Sequence, residues 1–234
     1  MKRKDVLNSL ALRISKYKLK KSFKLTEFDD LYDFAQNYIG RGYFDRISLH
    51  QFKEEFKAFA IHVKKHNPKT IVEIGTKKGG SFFIWARYIK PVHLISIDLP
   101  GGIHGGGFPK QKIPFMKYFL SDEKASTISI IQGDSQDIKT LEKLKETLNG
   151  KKIDFLFIDG DHRYEGVKSD FDMYKGLVKK GGLIAFHDIV ETEYHHNLNC
   201  FVDKFWNEIK QDYEYVEFIR DPKQNKYGIG VLKV

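Results

Sequence analysis

The sequence predicts an α/β protein. Its core is a doubly wound, mostly parallel seven-stranded sheet with an antiparallel last strand, preceded by an α-helical N-terminal region. Two observations carry this. Seven short apolar runs follow position 69, at 70–74, 93–97, 128–131, 153–158, 183–186, 215–219 and 228–232. Helical stretches at 81–89, within 115–124, and at 138–148 and 164–178 separate the first five runs. Continuous apolar strands that alternate with helices mark a parallel sheet covered on both faces. The last two runs follow a helix at 198–210 and lie close together, which gives the antiparallel ending.

Residues 1–67 read as a helical region and 68–234 as the sheet domain. In the first helix Leu7, Leu10, Ile14 and Tyr17 recur at helical spacing. The second is expected over 26–38, with Thr26 as N-cap and Gly40 as terminator. The third is expected over 49–65, with Phe52, Phe56 and Phe59 on its apolar side, until Asn67-Pro68 breaks the pattern.

Composition bounds the function. A chain of 234 residues with 41% hydrophobic and 14% aromatic content fills a real core, which excludes a disordered class. The single cysteine, Cys200, excludes an internal disulfide and fits a reducing compartment. No run approaches the ~20 apolar residues of a membrane span. Asn8, Ser9 and Arg13 interrupt what would be the apolar part of a signal peptide, so the cytoplasm is the expected location. The net charge of +9 is concentrated: residues 1–24 hold nine lysines and arginines against Asp5 alone. Such a basic amphipathic helix either packs on its own protein or on a second subunit of a homodimer, or makes weak contact with an anionic membrane surface. The rest of the chain is nearly neutral and has no aromatic platform interleaved with basic residues, which speaks against nucleic acid.

The first strand runs into Glu73-Ile74-Gly75-Thr76-Lys77-Lys78-Gly79-Gly80-Ser81, then a helix. Glycines let backbone pass close to a ligand, and a helix N-terminus favours polar or anionic groups. The pattern is E-x-G-x-x-x-G-x-S, neither the dinucleotide G-x-G-x-x-G nor a P-loop. The second strand ends at Asp98, placed to accept from ribose hydroxyls, and the third in Gly133-Asp134-Ser135, placed to meet an adenine amino group. Three consecutive strand ends thus suit an adenosine ligand.

On these motifs the chain resembles the class I S-adenosylmethionine-dependent methyltransferases. VEIGTKKGGSF matches their first motif, ISIDLP their second and IIQGDSQD their third, over about residues 69–234. FIDGDHRYEGVKSDF followed by LVKKGGLIAFHDI is similar to the small-molecule branch with macrocin-type sugar O-methyltransferases and cephalosporin-hydroxylase-like proteins. The resemblance implies a Rossmann-like methyltransferase fold and S-adenosylmethionine as cofactor. Glu73, Gly75, Gly79 and Ser81 would shape the cofactor pocket, Asp98 would hold the ribose, and Asp134 with Ser135 would lie by the adenine.

The fourth and fifth strands end in Asp159 and in His187-Asp188. Neighbouring strands lie ~4.8 Å apart, so these side chains converge if the strands pair. Asp159, His187 and Asp188 are therefore candidate ligands for Mg²⁺ or another divalent cation, with Asp159 alternatively on the cofactor side. The imidazole among them argues for a softer metal or none. A bound cation would lower the pKa of a substrate hydroxyl. His162 is the candidate general base. Asp161 reads as an N-cap or a substrate contact, His195-His196 as surface residues, and the glycine-rich 99–109 segment as a closing loop with His104 at its middle. The expected reaction is O-methylation of a hydroxyl on a small molecule, such as a sugar or secondary metabolite. An RNA methyltransferase and a non-catalytic adenosine-ligand-binding module are the alternatives.

Overall fold

The computed structural model describes residues 3–101 and 106–234. Seven strands form one sheet: β1 (Thr70–Ile74), β2 (His93–Asp98), β3 (Thr127–Gln132), β4 (Ile153–Ile158), β5 (Val178–His187), β6 (Glu214–Phe218) and β7 (Ile229–Lys233). Their order is β3-β2-β1-β4-β5-β7-β6. The first five pair in parallel, and β7 is inserted antiparallel between β5 and β6. This is the expected doubly wound sheet with its antiparallel ending. The order reverses between β1 and β4, and in open α/β sheets ligands bind in the crevice that this reversal opens at the strands' carboxyl ends.

Alternate strand residues feed two hydrophobic layers, as the two-residue period of a strand requires. Ile71, Phe155, Phe157, Leu183 and Ala185 face one layer. Val72, Ile74, Leu156, Ile158, Ile184 and Phe186 face the other. The second layer is closed by α6 (Ile138–Leu148), α7 (Tyr164–Tyr174) and α9 (Val202–Ile209). The first is closed by α4 (Gly80–Ile84), its π-helical continuation Trp85–Ile89, the short α5 (Ile113–Met116), and the N-terminal helices α1 (Arg3–Leu19), α2 (Phe28–Asn37) and α3 (Lys53–Lys65). Phe59 of α3 meets Phe155 and Phe157 with ring centroids 5.8 and 5.6 Å apart, so the N-terminal region shares the sheet's own core.

Several boundaries differ from the sequence expectation. Helix α2 starts at Phe28 with Glu27, not Thr26, at the N-cap, and Tyr38 ends it before Gly40 is reached. Thr26 instead directs its hydroxyl to Glu27. Helix α3 starts only at Lys53. Residues 45–52 are extended loop, and Gln36 of α2 bonds this loop through the backbone of Leu49. An additional short helix, α8 (Glu193–Asn197), precedes α9; its apolar residues are too few to give a periodic signal.

Helix α1 buries Ser15 and Leu19, while Val6, Leu7, Leu10, Ile14 and Tyr17 stay exposed. The residues singled out by spacing therefore point away from the core. Among the described residues no helix is long and apolar enough to cross a membrane.

Candidate functional site

A cavity of about 1100 Å³ opens at the carboxyl ends of β1, β2, β4 and β5, where the strand order reverses. One half is built from the loop after β1. Gly75 has φ +88°, and a Cβ there would lie 1.9 Å from the carbonyl oxygen of Asp159. Only glycine lets the ends of β1 and β4 approach this closely. Asp98 holds the loop down: its Oδ2 accepts from the Lys77 amide at 2.6 Å and its Oδ1 from the Leu99 amide at 2.8 Å. Lys112, itself buried, donates to the Lys78 carbonyl at 3.0 Å and to that of Arg46 at 3.2 Å. Burial pushes this ammonium down to about 8.

Of the residues expected in the cofactor pocket, Gly75, Ser81, Asp98, Asp134, Ser135 and Asp159 line the cavity. Glu73 and Gly79 do not. Gly79 has φ +81° and turns the chain into α4. The Glu73 side chain is fully buried on the opposite strand face, where Oε2 accepts from the Trp85 indole at 2.6 Å. Burial pushes its carboxyl up to about 8 against its hydrogen bonds, so it is neutral at pH 7. Strand alternation explains the difference, because a residue next to a cavity-lining position points the other way.

The other half holds the polar cluster. Asp159 follows β4, His187 ends β5, and Ile158 pairs with Phe186, so the two strand ends are level. His162 bridges the carboxylates: Nε2 lies 3.2 Å from Asp159 Oδ1 and Nδ1 2.9 Å from Asp188 Oδ2. His187 Nδ1 lies 3.2 Å from Asp159 Oδ1 and 3.3 Å from Asp188 Oδ1, without hydrogen-bond alignment. Asp188 has φ +64°, a left-handed backbone that aspartate tolerates better than most residues and that marks strained functional turns. Burial opposes charge on both imidazoles, but the facing carboxylates outweigh it. They hold His162 well above the ordinary histidine range and His187 at about 10. Asp159 and Asp188 are lowered in turn: burial works against ionisation, and the two imidazoles overcome it. His162 is the more open ring, its side chain 34% exposed against 4% for His187.

Asp161 serves as a brace. It accepts from the Arg163 amide at 3.0 Å and from Gln136 Nε2 at 3.1 Å, and pairs with the Arg163 guanidinium. The N-cap of α7 is Arg163. Tyr164 turns to Glu208, away from the cavity.

His195 is buried, contrary to the surface expectation, whereas His196 is half-buried and bonds Asp203. His195 Nδ1 donates to the Val190 carbonyl at 2.9 Å, and its Nε2 accepts from the Tyr227 amide at 3.2 Å. With Nε2 so engaged, its 3.5 Å approach to Asp188 is no ion pair. His104 lies outside the described residues; Leu99, Pro100, Gly106 and Gly107 on either side of it line the cavity.

Sequence reasoning missed Ser48, His50 and Gln51, which bring the N-terminal region to the cavity, and Cys200 and Tyr227, which close its far wall. Cys200 places its sulfur within 4.8 Å of ligand atoms of His162 and Asp188. Also missed was Asp170 on α7, completely buried behind the Gly160 turn, with its carboxyl pushed up to about 7 by burial. No local pattern flags these residues; their convergence is a product of topology.

Residues 72–189 match a family model described as a methyltransferase domain. The chain belongs to this family. The chain is 35% identical over 143 residues to an uncharacterised protein, R132, of Acanthamoeba polyphaga mimivirus, a match covering 60% of this chain and 61% of that one. It is 26% identical over 124 residues to ribosomal RNA large subunit methyltransferase E of a Janthinobacterium species, covering 49% and 52% of the two chains. The chain thus spans less than two thirds of the length of these curated relatives. Among solved structures, an O-methyltransferase from Bacillus cereus in complex with SAH superimposes with a TM-score of 0.58 at 13% identity, over 98% of this chain and 99% of that one. TomG of Streptomyces achromogenes, an O-methyltransferase of tomaymycin synthesis in complex with SAM, gives 0.58 at 14% identity over 100% and 99%. At such identities the likeness establishes the fold alone, the one these two O-methyltransferases share.

Proposed function

We propose that the chain is an S-adenosylmethionine-dependent methyltransferase that methylates a hydroxyl of a small molecule. The observation that carries the reading is the two-sided cavity: a half lined by Gly75, Asp98, Asp134 and Ser135 faces a half with an imidazole between two carboxylates. Asp98 would hold the ribose hydroxyls, and Asp134 with Ser135 the adenine edge. The sulfonium methyl would then point to the His162 side. The acceptor oxygen attacks the methyl carbon in line as the C–S bond breaks, leaving S-adenosylhomocysteine. The hydroxyl proton passes to His162. Orientation of the two reactants supplies much of the rate, and the base typically ~10²–10⁴-fold. The carboxylates raise the pKa of His162, so it accepts this proton more readily as the pH rises.

A divalent cation would be held by Asp159, Asp188 and His187, the imidazole giving up its proton on binding. Among the described residues Asp188 Oδ1 and both ring nitrogens of His187 are buried without a hydrogen-bond partner, and such donor atoms fit a cation. The mixed oxygen and nitrogen donors, with the Cys200 thiol close by, suit a borderline cation such as Zn²⁺ better than Mg²⁺. Such an ion would supply Lewis acidity at the acceptor oxygen.

The acceptor would enter past His50, Tyr227, Tyr194 and Leu198, the last two being exposed apolar side chains at the rim. The experiment is methyl transfer from labelled cofactor to a panel of sugars, phenols and RNA, with wild type and His162→Ala. Transfer to small hydroxyl compounds that falls in the variant supports the reading. Transfer to RNA alone, or none to any acceptor, refutes it.

A further inference from the structure

Among the described residues, nothing covers one surface of helix α1, and that surface has a particular chemistry. Val6, Leu7, Leu10, Ile14 and Tyr17 are 45, 58, 52, 36 and 73% exposed. At 100° per residue they fall within an arc of roughly 100°. Ser15 and Leu19, which seal the helix to the body, lie across from it. Arg13 sits beside the apolar arc, and Lys20, Lys21 and Lys24 follow at its C-terminal end, all exposed. An apolar stripe edged by basic side chains is the pattern of a helix lying in the interfacial plane of a bilayer.

We propose that this face of α1 docks on an anionic lipid surface and thereby holds the methyltransferase at a membrane. Charge decides between occupants. A second copy on the same face would set one basic arm against its twin, because an isologous contact repeats the same surface on both sides. A nucleic-acid backbone would satisfy the lysines but would leave five apolar side chains against phosphate. An anionic leaflet takes both: headgroups meet the basic rim and acyl chains the stripe. Docking of α1 leaves the cavity free, since no α1 residue lines it.

The test is co-sedimentation of the full chain with vesicles of phosphatidylcholine alone, or with about one-third phosphatidylserine, a leaflet of strongly negative potential. The wild type should pellet with the anionic vesicles only, and less at high salt. Lys20→Gln/Lys21→Gln should weaken partitioning roughly thirty-fold, as expected for two basic residues at an anionic surface. Leu10→Glu/Ile14→Glu should abolish it. Circular dichroism and S-adenosylhomocysteine affinity, unchanged in both variants, would show that the body is intact. No pelleting, equal pelleting with neutral vesicles, or self-association that Leu10→Glu/Ile14→Glu abolishes would each overturn the proposal.

Discussion

At the scale of single residues, two side chains with similar sequence credentials have different consequences. His162 touches the open cavity and both carboxylates, and His162→Ala is expected to lower kcat by about 10²–10⁴-fold with little change in cofactor affinity. Steady-state kinetics beside calorimetry would separate the two effects. Because the carboxylates raise the His162 pKa, kcat/KM of the wild type should climb from neutral into alkaline pH. Glu73 stands at the heart of the first motif, yet it bonds Trp85 and is neutral at pH 7. Glu73→Gln should therefore leave S-adenosylhomocysteine affinity within a few-fold of wild type. Asp98→Ala removes a charged acceptor expected to be worth about 1.5–3 kcal/mol and should weaken affinity by ten-fold or more. The motif made Glu73 legible as important, but its direction was not legible, since one register step separates a pocket residue from a buried one.

At the scale of elements, the strands and the order of loops were readable because five continuous apolar runs alternate with helices, and a parallel buried sheet requires that texture. The loop from 45 to 52 was not. It carries Phe52 just ahead of a helical pattern and looks like that helix's first turn, yet Gln36 fixes it in extended form from a different helix. Through it Ser48, His50 and Gln51 reach the cavity. The α8 segment escaped notice for a related reason: His195 reads as a surface residue until Val190 and Tyr227 are seen to bracket it. The most constrained element is the turn after β1. Gly75→Ala would drive a Cβ into the Asp159 carbonyl from a backbone that alanine resists. Thermal denaturation should show a loss of stability, and titration with S-adenosylhomocysteine a loss of binding.

At the scale of the whole molecule, the buried charges tie stability to pH. The folded pKa of His187, about 10, lies above its unfolded value of 6.5. Its contribution is therefore full below pH 6.5 and is lost as the pH rises through about 10. Glu73, raised from 4.5 to about 8, acts with the same sign over its own interval. In chelator-treated protein Tm should fall from mildly acidic to alkaline pH, and His187→Gln should flatten the alkaline part of the fall. A Tm that instead rises towards pH 9 would mean that the imidazoles are not held charged by Asp159 and Asp188. The same cluster sits across one cavity from Gly75, Asp98, Asp134 and Ser135, and the functional reading rests on that juxtaposition. Calorimetric titration with S-adenosylhomocysteine tests it most directly. One-to-one binding that Asp98→Ala weakens at least ten-fold is the predicted result; absence of binding, or tighter binding of NADH, would contradict it.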